Sequence, residues 1–169
     1  MSDSQDPDTT GIDQEAIGPV LGRVPSGIFI LTVRHGEGET GMLASWVMQA
    51  GFEPPSVTVA VRGDRYVANW LGAEAPFALN LVSEGGKGLL AHFGRGFEPD
   101  QPAFEGLDVT HGTFDLPLLT SGTLGHLICR PTTSMTSGDH RVFLADIVEG
   151  QLRSEDAPML HVRKSGLHY

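Results

Sequence analysis

The chain has 169 residues and a formal net charge of −10 at pH 7. An acidic surface of this kind argues against nucleic-acid binding, which draws on basic residues to neutralise phosphates. The single cysteine, Cys129, excludes an intramolecular disulfide and a cysteine-based zinc cluster. The longest apolar stretch, 27–33, is far too short to cross a bilayer. The expectation is a cytoplasmic protein with no membrane segment.

The beginning of the chain differs in composition from the rest. Residues 1–12 are mostly polar and acidic, which predicts a disordered lead-in followed by one domain over 13–169. Ile17, Val20 and Leu21 follow with i, i+3, i+4 spacing, so a short amphipathic helix is expected before the first long strand.

The next part of the sequence is typical of antiparallel strands. Apolar residues over 28–33 predict a strand that is buried on both faces, and the glycine-rich stretch 35–39 predicts a hairpin loop. The chain then returns over 41–50, and 57–61 alternates as a half-buried strand.

The second half adds short helices and further strands. Residues 66–71 predict a helical turn or two, with Asp64 placed to cap it. A long irregular loop is expected over 94–108. A strand over 77–82 that carries Asn80 and a short helix over 88–93 are expected next. Two further strands are expected over 124–129 and 142–148. The pattern predicts a mainly β fold, a closed or nearly closed antiparallel barrel with short helices.

The run Gly41–Trp46 combines small residues with one tryptophan. Its main-chain N–H groups and the Ser45 hydroxyl could hydrogen-bond the edge of a flat ring. The alternative is a small-residue strand edge with Trp46 in the core. Local chemistry alone favours that alternative, because backbone donors occur everywhere.

Three polar residues further along also have two interpretations each. Arg62 and Arg65 are candidates for a phosphate clamp at the start of a helix, or for solvated charges in an ordinary turn. Asn80, on an otherwise apolar strand, is either a ligand contact or a structurally paired core amide.

His140 follows an aspartate in a turn before the final strand. A histidine beside a carboxylate can hold a proton near neutral pH, although an exposed histidine in a turn is favoured by the local sequence. The other histidines show no ligand-like spacing, so no metal site is expected. No dinucleotide fingerprint is present, so a nicotinamide cofactor would be held only transiently.

Taken together, several segments resemble one family. Arg23–Gly27, Gly41–Trp46, Phe52–Pro55 and Asp139-His140, with Pro158–Leu160 and Tyr169, are similar to the flavin reductase-like family of FMN-binding split barrels. The variety with this form of Gly41–Trp46 looks closest to the reductase domains fused to flavodiiron proteins.

The resemblance implies an antiparallel, Greek-key split barrel that binds FMN near the interface of a homodimer. Such proteins pass a hydride from NADH or NADPH to flavin N5, and the reduced flavin serves an oxygenase or another electron acceptor. By this resemblance the isoalloxazine would lie along Met42, Leu43, Ala44, Ser45 and Trp46. The phosphate end would face Arg62 and Arg65, and the remaining contacts would be Asn80, Phe93 and His140, the last as the catalytic residue.

One residue departs from the family pattern. Asp64 would be unfavourable beside a phosphate unless it points away to cap the helix. The leading hypothesis is an NAD(P)H-dependent flavin reductase with FMN as cofactor or co-substrate, FAD being the alternative flavin. A non-catalytic FMN-binding protein or electron carrier reduced by a partner is the second hypothesis, and a barrel that binds haem or another flat ligand is a weaker third.

Overall fold

The computed structural model describes residues 11–168. Residues 1–10 of the predicted lead-in lie outside this range, and so does Tyr169. The described residues form two compact units: 11–25 with 161–168, and Ser26–Leu160. That 13–169 forms one domain stays a prediction. No helix within 11–168 is long and apolar enough to cross a membrane.

The first unit contains the predicted helix α1, Gln14–Gly22. It begins at Asp13, whose side chain accepts a hydrogen bond from the main-chain N–H of Ala16 at 3.0 Å, so the cap satisfies one of the helix's orphan donors. The apolar residues that predicted the helix, Ile17, Val20 and Leu21, are exposed.

The buried face of α1 is instead made of glycine. Gly18 and Gly22 are its buried residues, and the main-chain N–H of Arg163 donates to the Gly22 carbonyl at 2.7 Å. A Cβ atom at Gly22 would lie 2.5 Å from the Arg163 carbonyl oxygen. The C-terminal segment therefore approaches the helix backbone where only glycine leaves room.

The second unit is mainly antiparallel β. Seven strands form its principal sheet in the order β3-β2-β6-β9-β10-β5-β4. The strands are β1 Ser26–Gly27, β2 Phe29–His35, β3 Gly38–Ala44, β4 Val47–Phe52, β5 Pro55–Arg62, β6 Phe77–Val82, β7 Val109–His111, β8 Pro117–Leu119, β9 Thr123–Ser137, β10 His140–Leu152 and β11 Leu160–His161. Two helices, α2 Tyr66–Gly72 and α3 Lys87–Gly94, and a 3-10 turn at Thr113–Asp115 connect them.

The strand β2, which lies between β3 and β6, shows why this sheet needs cover on both sides. Leu31 and Val33 belong to one buried cluster, whereas Ile28 and Ile30 belong to a second cluster that includes residues of α3. Successive strand residues point to opposite faces, so both faces of β2 are packed. The predicted double-sided burial of this segment is confirmed.

Two local predictions need correction. The segment 41–50 is not one returning strand, because β3 ends at Ala44 and β4 begins at Val47. Asp64 does not cap α2: the residue at the cap position is Arg65, which makes no side-chain cap hydrogen bond. The Asp64 carboxylate instead pairs with Arg62, in place of the main-chain N–H groups at the start of α2.

Candidate functional site

The strand ladders are interrupted between β3 and β4. Pairing with β2 ends at Ala44, and pairing with β5 begins at Val47. Ser45 and Trp46 lie between the two ladders, with the Trp46 carbonyl accepting from the Ala60 N–H at 3.0 Å. Trp46 is 37% exposed, so the alternative that it is a core residue does not hold. This part of Gly41–Trp46 is an accessible edge.

His140 lies directly against this edge. Its ring centroid is 4.6 Å from that of Trp46, with the two planes tilted by 37°. The residue is only 7% exposed, unlike the exposed turn histidine that was the alternative. In the β5–β10 ladder His140 is the Cα partner of Arg62. The β-ladder therefore joins the aromatic edge to the arginine.

A carboxylate orients the histidine ring. His140 Nδ1 lies 2.7 Å from Asp139 Oδ1. This hydrogen bond lowers the pKa of Asp139 below its usual range, and the charges of His140 and Arg62 act in the same direction. Because Asp139 is then an acceptor, Nδ1 carries the proton and donates to it. In the neutral ring Nε2 holds the lone pair.

A cavity of about 800 Å³ has Arg62, the ladder partner of His140, in its lining. It is bounded by β3, by the end of β5 and the start of α2, and by α3 with the loop that follows. Its lining consists of Gly41, Met42, Arg62, Asp64, Arg65, Tyr66, Val67, His92, Arg95, Gly96, Phe97, Glu98, Gln101, Pro102 and Glu105.

Charges of both signs line this cavity. The cations are Arg62, Arg65 and Arg95, and Asp64 is one of the facing carboxylates. Arg62 Nη2 lies 3.0 Å from Asp64 Oδ2. The Arg95 guanidinium lies over the ring of Phe97, 5.0 Å from its centroid. The cavity can bind anionic groups, because a guanidinium donates in-plane pairs of hydrogen bonds that match phosphate oxygens.

Tyr66 ties the loop after α3 to the barrel wall. Its hydroxyl donates to the Phe97 carbonyl at 2.7 Å and lies 2.9 Å from the Thr40 hydroxyl. Burial raises the pKa of Tyr66, against the opposing effect of the Thr40 hydrogen bond. The phenol therefore stays protonated at neutral pH and keeps this donor in place.

The sequence-predicted residues fall into two groups. Met42, Arg62 and Arg65 line the cavity, while Ser45 and Trp46 form the accessible edge with His140 packed on it. The others are set back: Ala44 is buried in the larger core cluster, Leu43 packs against the α3 cluster, and Phe93 belongs to that cluster. A Cβ atom on Gly41 would lie 2.6 Å from Phe93 Cε1, so Phe93 backs the cavity wall from inside.

Asn80 is placed in the interior, outside the cavity lining. It is fully buried, and its amide donates to the Ile30 carbonyl at 3.0 Å and lies 3.3 Å from the Thr32 hydroxyl. Its Oδ1 accepts from the Leu119 N–H at 2.9 Å. These bonds join β6 to β2 and β8, as expected for a structurally paired amide.

Sequence reasoning gave no site role to Tyr66, Arg95 or Phe97, although it predicted the long loop over 94–108 that contains the last two. That loop is the signal that could have assigned them, since long loops in compact domains are commonly functional. Arg95 and Phe97 lie at its start, and Tyr66 holds it. Within residues 11–168, no group of three or more His, Cys, Asp or Glu side chains is arranged to hold a metal ion.

Comparison with known proteins identifies a family and similar folds. The family model "Flavin reductase like domain" matches residues 21–166. The NADH:FAD oxidoreductase of Streptomyces globisporus C-1027 superposes with a TM-score of 0.78 at 27% identity, over 85% of each chain. A nitrilotriacetate monooxygenase component B homologue from Mycobacterium thermoresistibile gives a TM-score of 0.78 at 25% identity, over 90% of this chain and 84% of that one. The predicted split-barrel fold is confirmed.

Curated relatives are longer proteins. Diflavin flavoprotein A 1 of Synechocystis sp. is 34% identical over 151 residues, which is 88% of this chain and 26% of the relative. The chain spans about a quarter of the length of the relatives it matches, 28% and 25% in two further cases. The predicted similarity to a reductase domain fused to other domains is thereby confirmed.

Proposed function

The chain belongs to the flavin reductase-like domain family, and we propose that it is an NAD(P)H-dependent flavin reductase that acts on FMN, with FAD as the alternative flavin. Family membership supports flavin binding and an oxidoreductase activity in general. The observation that carries the proposal is the continuity of two features. An accessible edge of Ser45 and Trp46, with His140 beneath it, opens beside a cavity whose arginines include the ladder partner of His140.

The donor set suits both parts of a flavin nucleotide. The flat ring needs an apolar face with hydrogen-bond donors at its edge, and the edge offers the Trp46 ring with the Ser45 hydroxyl and main chain. The tail needs cations, and the cavity offers Arg62 and Arg65. Met42 lies between the two as part of the cavity wall.

The set-back residues have a supporting role in this proposal. Leu43, Ala44 and Phe93 shape the wall from the core side, and Asn80 fixes the strands that carry it. Their contribution is positional, because a rigid wall holds reacting groups in the geometry for transfer.

A bound flavin would supply the redox chemistry, namely hydride uptake from the nicotinamide and electron delivery to an acceptor. The protein's own residues orient it and stabilise charge. The Ser45 hydroxyl and the main chain between β3 and β4 would donate hydrogen bonds to the ring edge, where negative charge develops, and preorganised donors are effective because they need no reorganisation. His140, whose Nδ1 is fixed by Asp139, holds or moves a proton at Nε2. Trp46 limits the access of water to His140.

Partners and assembly are part of the same proposal. A homodimer is supported by apolar side chains left at the surface, such as Phe52, which is 84% exposed. The electron acceptor is proposed to be an oxygenase or another downstream redox protein. The monooxygenase-component homologue among the structural neighbours supports this class of acceptor.

The test is steady-state oxidation of NADH and of NADPH by the purified protein with added FMN or FAD. We expect oxidation well above the rate without protein, and a His140→Gln variant that binds flavin but turns over at least about tenfold more slowly. Oxidation of neither nicotinamide would contradict the proposal. Flavin that is bleached by dithionite and not by NAD(P)H would favour the non-catalytic electron carrier.

A further inference from the structure

Asp64 is the residue of the cavity that a phosphate site does not need. It lines the cavity and makes no cap for α2. Its Oδ2 lies 3.0 Å from Arg62 Nη2, with the two side chains 67% and 43% exposed. Arg62 therefore meets an acceptor supplied by the protein, and a ligand phosphate must compete with it.

The surrounding charges strengthen this competition. Arg62, Arg65 and Arg95 are matched in the cavity lining by the carboxylates of Asp64, Glu98 and Glu105. The phosphate of the flavin tail thus enters a site in which the protein's carboxylates already balance the positive charge of the arginines. The attraction of Arg62 for a phosphate is reduced most, since its partner carboxylate lies 3.0 Å away and opposite charges at that distance cancel much of each other's field.

We propose that Asp64 is an affinity-setting residue for the flavin tail: by occupying Arg62 it keeps phosphate binding weak, so that the flavin exchanges as a dissociable co-substrate. The inference rests on the proposed flavin reductase function. It assigns Asp64 a specificity role, because a flavin that lacks the phosphate does not feel the competition.

The expected size of the effect is moderate. Arg62 and Asp64 are exposed, and exposed ion pairs are weak and screened by salt. Removing the Asp64 carboxylate frees Arg62, and it also removes the repulsion between that carboxylate and the phosphate. We expect an Asp64→Asn variant to bind FMN about three- to tenfold more tightly at low ionic strength.

Riboflavin supplies the internal control. It carries the same ring and ribityl chain without the phosphate, so its Kd should stay within about twofold of the wild-type value in Asp64→Asn. Asp156→Asn is the matched control variant, an exposed aspartate outside the cavity lining. Equal changes for FMN and riboflavin, or no change for FMN, would overturn the proposal, as would the same gain in Asp156→Asn.

A double-mutant cycle with Arg62→Gln tests the route of the effect. If Asp64 acts by holding Arg62, the gain from Asp64→Asn shrinks in the Arg62→Gln background. A gain that persists in full there would contradict the proposed pairing. Raising the salt concentration should also narrow the difference between wild type and Asp64→Asn.

These binding measurements contain no nicotinamide, so they separate the two proposals. If no variant oxidises NADH or NADPH, the reductase function fails while the FMN-against-riboflavin comparison still reports on Asp64. If turnover is present and the FMN preference does not change in Asp64→Asn, the role of Asp64 alone fails.

Discussion

The cavity lined by Arg62 and the polar cluster around His126 use the same kinds of side chain in opposite ways. In that cluster the exposed residue Arg153 donates to the carbonyl of buried Leu119 and to the hydroxyl of buried Thr123, and it lies 3.3 Å from Nδ1 of buried His126. In the cavity, Arg62 bonds a neighbouring exposed carboxylate. An arginine with main-chain partners is fixed in the fold, whereas one with a side-chain partner can exchange that partner for a ligand.

Asn80 provides the strongest test of this contrast. Asn80→Ala should lower the free energy of unfolding by about 3 kcal/mol, because the buried Leu119 N–H and Ile30 carbonyl lose their partner and a cavity forms. Urea unfolding measures it, with the exposed amide variant Gln151→Ala as control. An unfolding free energy within 0.5 kcal/mol of wild type, roughly the scale of surface substitutions, together with weaker flavin binding, would instead make Asn80 a ligand contact.

Arg65 should show the reverse behaviour. Arg65→Gln is expected to weaken FMN binding about tenfold, equivalent to about 1.4 kcal/mol, because a charge-assisted contact to the phosphate is lost. Riboflavin binding and the urea midpoint should barely change, since Arg65 lines the cavity and lies outside the buried core. Arg130→Gln, an exposed arginine elsewhere, is the matched control. A large loss of stability in Arg65→Gln would place this residue with the interior group.

His126 should show the smallest effect, seen as a dependence on pH. The Nε2 atom of His126 is buried and has no hydrogen-bond partner within residues 11–168. Burial lowers the pKa of His126 from 6.5, and the charge of Arg153 lowers it further while Glu149 opposes. The unfolded state therefore binds the proton more readily, so stability is complete above pH 6.5 and is lost as the pH falls below it.

The variant His126→Gln removes that titration. The difference in unfolding free energy between wild type and His126→Gln should shift against the wild type between pH 8 and pH 5, as measured by urea unfolding at each pH. A difference that stays constant over this range would show that His126 does not titrate differently in the folded state.

Most of the strands and the three helices α1, α2 and α3 could be located from the sequence. The reason is that the longer elements keep a clear hydrophobic periodicity. The sequence pattern misplaced the apolar face of α1, since the burial of Gly18 and Gly22 depends on a segment more than a hundred residues away in the chain. It also treated 41–50 as one strand, because no periodicity marks the interruption at Ser45 and Trp46.

The candidate site divides in the same way. Arg62 and Arg65 could be singled out from charge and position. His140 could be assigned to the site only through the family resemblance, because its local sequence favours an exposed turn histidine and the burial of the residue depends on packing against Trp46. The pairing of Asp64 with Arg62 could not be predicted, because a helix cap and an ion pair are both open to an aspartate at that spacing. Tyr66 and Phe97 meet through the folded path of a loop, which has no periodic signal in the sequence.

The proposed reductase function can be tested by an anaerobic titration of the purified protein with FMN and then with NADH or NADPH, followed through the visible absorption of the flavin. We expect the nicotinamide to bleach the flavin band, His140→Gln to slow the bleaching, and the admission of oxygen to restore the band. Bleaching by dithionite alone, with no response to either nicotinamide, would contradict the proposed function.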